Sequence, residues 1–172
     1  MFVGDEVQLE VCFSVARERL RHLAEGGALL GMSEDAYDHG TTGLERVGVP
    51  GLWKLVRVQV RKLAWTDQSV GLAIRWEATG PGARLFPVLD ADLRLASARD
   101  QVTLLTVAGV YRPPLGPLGE ALDRVILHQV ADATIRNFAV RIAAQITGRP
   151  GAAEATASNG AGASPPDVPG FF

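Results

Sequence analysis

The chain contains little of several residue types that mark common classes of protein. It has one cysteine, Cys12, among 172 residues, which excludes an internal disulfide and a four-cysteine zinc site. Only Lys54 and Lys62 of its 17 basic residues are lysine, and the formal net charge is −2. That balance lacks the positive excess of most proteins that bind nucleic acids or acidic membranes. No run approaches about 18 consecutive apolar residues, and the first ten residues contain three acids. We therefore expect no membrane span and no signal peptide, and a cytoplasmic location.

The remaining composition is that of one globular domain followed by a tail. Hydrophobic residues make up 47% of the chain, which is enough for a sizeable core without disulfides or metal. From Gly148 onward, 17 of 25 residues are glycine, alanine, proline or serine. Such a segment buries too little apolar surface to offset its ordering entropy. We therefore expect a domain at residues 1–147 and a disordered tail at residues 148–172.

Apolar periodicity predicts an α+β domain. Residues 7–15 alternate apolar and polar side chains, as a strand with one buried face does. Residues 16–37 change to helical spacing interrupted by glycines, which favours two short helices. Residues 41–111 contain four or five extended segments separated by glycine-rich and polar turns. After three prolines, residues 118–146 have the pattern of one helix of about eight turns.

Two hairpins allow the strand register to be predicted. In the first, Val58 lies opposite Trp76 and Arg57 lies opposite Glu77. This register puts the valines of residues 56–60 on one apolar face and the opposite charges on the other.

The second hairpin predicts which of its residues face the core. Its expected pairs are Leu95 opposite Val102, Leu93 opposite Leu104 and Leu89 opposite Ala108. On this register Asp90, Asp92 and Arg94 point to solvent, so the two acids do not form a catalytic pair in the interior.

This order of elements resembles the helix-grip fold of the START-like superfamily, often called SRPBCC. The resemblance covers residues 7–147 and implies a curved antiparallel sheet of five to seven strands wrapped around one long C-terminal helix, with two short helices after strand 1. It also implies an apolar cavity between sheet and helix. The chain looks like the small bacterial members, including polyketide cyclase/dehydratase-like and lipid-transport-like proteins. No short catalytic motif unites these members, so the resemblance implies an architecture rather than a reaction.

Residues expected to face the gap between the sheet and the long helix are the candidate ligand contacts. They are Val58, Trp76, Leu93, Leu104, Thr106, Tyr111, Leu122, Ile126, Gln129 and Arg136. Gln129 and Arg136 project to the same side of the helix as Leu122, so they are the candidate polar groups in an apolar cavity. Asp132 could pair with Arg136 at i,i+4. The competing interpretation is that the buried stripe has moved by this point and that Arg136 lies in water.

Other residues that carry chemistry have simpler explanations. His128 and Asp132 are spaced as a base and its orienting carboxylate, but a solvated pair is favoured. Asp35, Asp38 and His39 lack a recognised spacing of metal ligands. Phosphate-binding loops, zinc-protease motifs and nucleophile elbows are absent from the sequence. We therefore predict no metal and no cofactor, and we assign no catalytic residue.

The leading hypothesis is a non-catalytic module that binds a hydrophobic or amphipathic small molecule, lipid-like or aromatic, in the cavity. One alternative, supplied by the resemblance, is a polyketide cyclase/dehydratase-like enzyme in which Gln129, Arg136 or Tyr111 would steer an enolate. A further alternative is an interaction protein whose core is filled by its own side chains. An enclosed pocket with a polar group favours the enzyme, an apolar tunnel favours the binding module, and a solid core favours the third hypothesis.

Overall fold

Helices and strands follow one another in the order typical of the helix-grip fold. The computed structural model describes residues 1–45, 55–80, 83, 86–112 and 124–148. Its elements are β1 (Phe2–Leu9), α1 (Phe13–Glu25), α2 (Ala28–Glu45), β2 (Leu55–Trp65), β3 (Ser69–Thr79), β4 (Val88–Arg99), β5 (Val102–Arg112) and α3 (Arg124–Thr147). The expected tail lies outside the described residues, apart from Gly148.

The five described strands form one antiparallel sheet in the order β1–β5–β4–β3–β2. We call the sheet face that packs against α1, α2 and α3 the inner face, and the opposite one the outer face. On the inner face, α3 lies against β1 and β5, while α2 lies against β2 and β3. The fold is therefore the α+β helix-grip expected from the sequence. No described helix is both long enough and apolar enough to cross a bilayer.

The register predicted for the first hairpin is confirmed. Val58 pairs with Trp76, and Arg57 pairs with Glu77. Trp76 is buried on the inner face, and Arg57 is exposed on the outer face. Alternation of large apolar and charged residues on both strands fixed this pairing, because a slip by one residue would place the charges in the core.

The register predicted for the second hairpin is wrong. The observed pairs are Leu95 with Leu105, Leu93 with Val107, and Leu89 with Tyr111. The strands turn at residues 100–101, later than predicted, and a bulge lies at Ala98. Because side chains alternate between faces, the shift turns Val107 inward, and it turns Leu104 and Thr106 outward. The solvent-facing positions predicted for the charged residues of β4 are confirmed.

The first strand begins and ends earlier than predicted. β1 occupies Phe2–Leu9 rather than residues 7–15, and it pairs with β5 along its whole length. The apolar residues after Leu9 belong to α1, in which Phe13, Ala16 and Leu20 are buried. Those three positions have helical spacing, which the alternation of residues 7–15 concealed.

The second helix is longer than predicted. It continues through residues 38–45, where a turn and the start of a strand were expected. Thr41 Oγ1 donates to the carbonyl of Tyr37 at 3.0 Å, inside the helix. Gly40 is buried at the contact with α3. Packing against α3 therefore keeps a turn-like sequence helical.

The long helix α3 has one continuous buried stripe in its described part. Its fully buried apolar members are Ile135, Phe138, Ala139, Ile142 and Ile146. Val140 is apolar but lies outside this stripe, and it is 40% exposed. The first six residues of the predicted helix, 118–123, lie outside the described residues.

Candidate functional site

The middle of the interior is filled by side chains. Trp76 is fully buried, its indole Nε1 donates to the carbonyl of Ser33 at 2.9 Å, and its ring meets Phe138 edge-on at 5.5 Å between centroids. Leu93 and Val107, a cross-strand pair, are also fully buried. Trp76 and Leu93, predicted as ligand contacts, are therefore core residues at the centre of the sheet.

Among the described residues, the buried apolar side chains fall into two clusters, and the division lies at the end of the sheet where β3 ends and β4 begins. Ala78, Phe86 and Val130 are buried in a small cluster separate from the main core, with half-buried Ala83 against it. Trp76, two residues before Ala78 on the same face of β3, belongs to the main core. We call this small cluster the end cluster. It joins one residue of β3, one of α3 and the segment before β4.

Two tyrosines lie at this end of the fold, one on each side of the interior. Tyr37 of α2 is fully buried and donates its hydroxyl to the carbonyl of Pro87 at 2.8 Å. Burial, with a smaller contribution from the Asp38 charge, raises the pKa of Tyr37 well above its ordinary value. Tyr111 of β5 is buried and donates its hydroxyl to Met1 Sδ at 2.6 Å. Its ring lies 6.1 Å from that of His128.

Polar groups around the interior already have partners. The hydroxyl of Thr134 donates to the carbonyl of Val130 at 2.8 Å, and that of Ser33 donates to the carbonyl of Leu29 at 2.7 Å. Among the described residues, no buried side-chain nitrogen or oxygen lacks a hydrogen-bond partner. A ligand in this part of the interior would thus meet mainly apolar surface and the rings of the two tyrosines.

The inner face of the edge strand β2 is incompletely covered. Val56, Val58 and Val60 all point inward, yet each is only half-buried. Apart from Ser97 near the end of β4, the inward-facing residues of the three middle strands are all buried. Apolar contact area on the helix side of the sheet is therefore left at β2, beside the strand end that carries Ala78.

Four of the predicted site residues do not face the interior. Leu104 and Thr106 are half-buried on the outer face because of the register shift. Gln129 and Arg136 are exposed on α3, and Arg136 pairs with Asp132 at 3.0 Å. The interpretation that Arg136 lies in water is thus confirmed.

The other predicted site residues divide between the interior and the undescribed parts of the chain. Tyr111 faces the interior as a member of the main core, and Val58 packs against that core from β2. Leu122 and the side chain of Ile126 lie outside the described part. Tyr37 was missed as an interior residue, although the helical spacing of Leu29, Ser33 and Tyr37 could have identified it.

The candidate metal ligands remain apart. No group of three histidine, cysteine, aspartate or glutamate side chains in the described ranges is placed to hold a metal ion. Asp35 instead pairs with Arg141 of α3 at 3.4 Å. Cys12 precedes α1 as its N-cap residue, and a hydrogen bond with Ser14 lowers the pKa of its exposed thiol.

Comparisons with known proteins bear on the fold alone. No protein-family model and no curated protein matches the chain. A conserved protein from Geobacillus kaustophilus is similar in structure, with a TM-score of 0.52 and 15% identity over 86% of this chain and 96% of that chain. It supports the assignment of the fold.

Two further solved structures are more distant. A hypothetical protein from Helicobacter pylori has a TM-score of 0.46 and 12% identity, over 82% of this chain and 87% of that chain. The Zhui aromatase/cyclase from Streptomyces sp. R1128 has a TM-score of 0.32 and 9% identity, over 85% of this chain and 95% of that chain. Neither likeness is close enough to bear on function.

Proposed function

We propose that this protein binds an apolar or amphipathic small molecule between the sheet and α3, at the end of the sheet that carries the end cluster. The observation that carries the proposal is that the buried apolar residues of the described part of the chain divide into two clusters between Trp76 and Ala78. A continuous core is the usual result of folding, because separated apolar clusters forgo contacts with each other. A ligand seated between the two clusters would restore those contacts.

The surroundings of this division suit a ligand that is mostly apolar. Val56 and Val58 of β2 offer inward-facing, half-buried surface, and Phe86 and Val130 offer buried surface. The Tyr111 hydroxyl is the candidate polar contact, since one of its partners is a methionine sulfur, which is a weak acceptor. A ligand oxygen would accept a stronger hydrogen bond from that hydroxyl than the sulfur does.

The enzyme alternative loses support from the structure. It required polar groups in the cavity, and two of the three candidates, Gln129 and Arg136, are exposed on α3. Only Tyr111 remains on the inner face. No specific observation favours the cyclase-like reaction over binding.

Calorimetric titration with an apolar probe tests the proposal. Cis-parinaric acid added to the native protein should bind saturably, with a negative heat-capacity change from buried apolar surface. Ala78→Phe should weaken that binding about tenfold or more, because the new ring occupies the space between the two clusters. If that space exists, the ring fits and the loss of stability stays below about 1 kcal/mol.

Val140→Phe is the matched control, since it adds the same ring at a position of α3 that is 40% exposed. It should leave probe affinity unchanged. Absence of saturable binding to the native protein would overturn the proposal and favour the filled-core interaction protein. The proposal would also be overturned if Ala78→Phe lost several kcal/mol of stability and kept its affinity for the probe, because the ring would then have entered a packed core.

A further inference from the structure

The outer face of the sheet carries a trough that the proposed function does not use. Its volume is about 840 Å³, and it is lined by residues from all five strands. The size lies within the range of small-molecule sites, roughly 300–1,000 Å³. Predictions from the sequence placed only solvated charges on this face.

A row of small residues forms the floor of the trough. Ala73, Asp92 and Ala108 are neighbours across β3, β4 and β5, and Gly4 of β1 continues the row beyond Ala108. Only Asp92 carries a side chain longer than a methyl group. The adjacent row holds Arg75, Asp90 and Val110, whose longer side chains form one wall.

The charges that line the trough are unbalanced. Four arginines and two aspartates line it, which leaves an excess of two positive charges, in a chain whose formal net charge is −2. Arg75 and Arg112 both pair with Asp90, at 3.0 and 3.4 Å. Arg61 and Arg94 are exposed and make no ion pair or hydrogen bond within the described ranges.

Arg61 and Arg94 flank a gap in the side chains of β3. Arg61 of β2 lies opposite Ala73, and Arg94 of β4 lies opposite Gly71. Their strands are two spacings apart, about 10 Å. Because neither Ala73 nor Gly71 has a long side chain, both guanidinium groups can turn toward one anion above β3.

The opposite end of the trough carries two exposed apolar side chains, with Arg112 two residues beyond Val110 on the same face of β5. Phe2 of β1 and Val110 of β5 pair across the strands and are 70% and 47% exposed. The separation between β2, which carries Arg61, and β5 is three strand spacings, about 14 Å. The trough therefore has a cationic end at Arg61 and Arg94, a floor of small residues that includes Asp92, and an end where Phe2 and Val110 lie beside the Arg112–Asp90 pair.

We propose that this trough binds an amphipathic organic carboxylate. Its carboxylate would lie between Arg61 and Arg94, and its hydrocarbon body would cross Ala108 toward Phe2 and Val110. The charge excess favours an anion, and the exposed phenyl and isopropyl groups favour a hydrocarbon at the other end. Asp92 on the floor repels negative charge, and it repels a dianion more strongly than a monoanion, so a monoanion fits better.

Titration of decanoate into the Ala78→Phe variant tests this site apart from the interior one. Decanoate should bind saturably, and Arg61→Gln combined with Arg94→Gln should weaken it about tenfold or more, because charge-assisted hydrogen bonds are lost. Added salt should weaken it as well. Decanamide, which lacks the charge, and acetate, which lacks the hydrocarbon, should both bind at least about tenfold more weakly than decanoate.

Arg57→Gln is the matched control, since Arg57 is exposed on the outer face of β2 but does not line the trough. It should leave the decanoate affinity unchanged. Ala73→Leu, which raises the floor between the two arginines, should abolish binding while the protein stays folded. The proposal is overturned if decanoate fails to bind the Ala78→Phe variant, if the double arginine variant binds it normally, or if decanamide binds equally well.

Discussion

The contact between α2 and α3 depends on the missing side chain of Gly40, which makes its replacement by alanine a sharp test of the fold. A Cβ built at Gly40 overlaps the hydroxyl of Thr134 and lies 2.9 Å from the carbonyl oxygen of Val130. It also lies 3.0 Å from the backbone nitrogen of Thr134. Two of these three atoms belong to the backbone of α3, so the clash is relieved only if the helices separate.

Two opposing effects set the change in the free energy of unfolding that Gly40→Ala causes. Alanine is better than glycine in a helix interior by about 1 kcal/mol. Overpacking of this kind costs about 1–3 kcal/mol, and backbone atoms in the clash favour the upper end. We therefore expect Gly40→Ala to lower the free energy of unfolding by about 2 kcal/mol.

Gly31→Ala is the control in the same helix. A Cβ at Gly31 has no atom within 4 Å, so this variant keeps the propensity gain without a clash and should be more stable than the parent by about 0.5–1 kcal/mol. Urea unfolding followed by circular dichroism and tryptophan fluorescence measures both changes. Thr134→Ala in the Gly40→Ala background should restore only part of the loss, because the backbone contacts remain. A Gly40→Ala protein as stable as the parent would refute the described approach of α2 and α3.

Two further predictions concern Tyr37 and Gly109. Because burial raises the pKa of Tyr37 in the folded state, stability from its neutral form is fully present below the ordinary tyrosine pKa of about 10 and is lost as the pH rises above it. Unfolding free energies of the parent and Tyr37→Phe should thus converge or cross as the pH rises from 9 to about 11, and parallel curves would contradict the burial of this hydroxyl. Gly109→Ala should lower stability by about 3 kcal/mol, because its Cβ would overlap the carbonyl oxygen of Asp90 and lie 2.8 Å from Ala91 Cα on the neighbouring strand. Gly4→Ala, whose Cβ has its nearest neighbours at 3.5 Å, should change thermal stability little, and equal melting temperatures for the two variants would be the contrary result.

Sequence reasoning succeeded where both neighbouring strands carry a strong pattern. On β2 and β3, valines and Trp76 mark one face while Arg57 and Glu77 mark the other, and only one register satisfies both. The order of elements followed from the same periodicities. Prediction failed in α2, where Asp38, His39 and Gly40 have the composition of a turn. Contact with α3 overrides that local preference, and such a contact has no signal in a single sequence.

The candidate site was harder to predict than the fold because the face on which each β5 side chain lies depends on one residue. That residue, Ala98 of β4, has no partner on β5. The bulge at Ala98 shifts β5 against β4 and exchanges the two faces of β5. Leu104 and Thr106 are apolar or small enough to fit either face, so hydrophobicity did not reveal the error. The shift fills the interior with Leu105 and Val107, while Thr106 and Ala108 line the outer trough. One bulge thus both fills the centre of the expected cavity and provides part of the trough on the other side of the sheet.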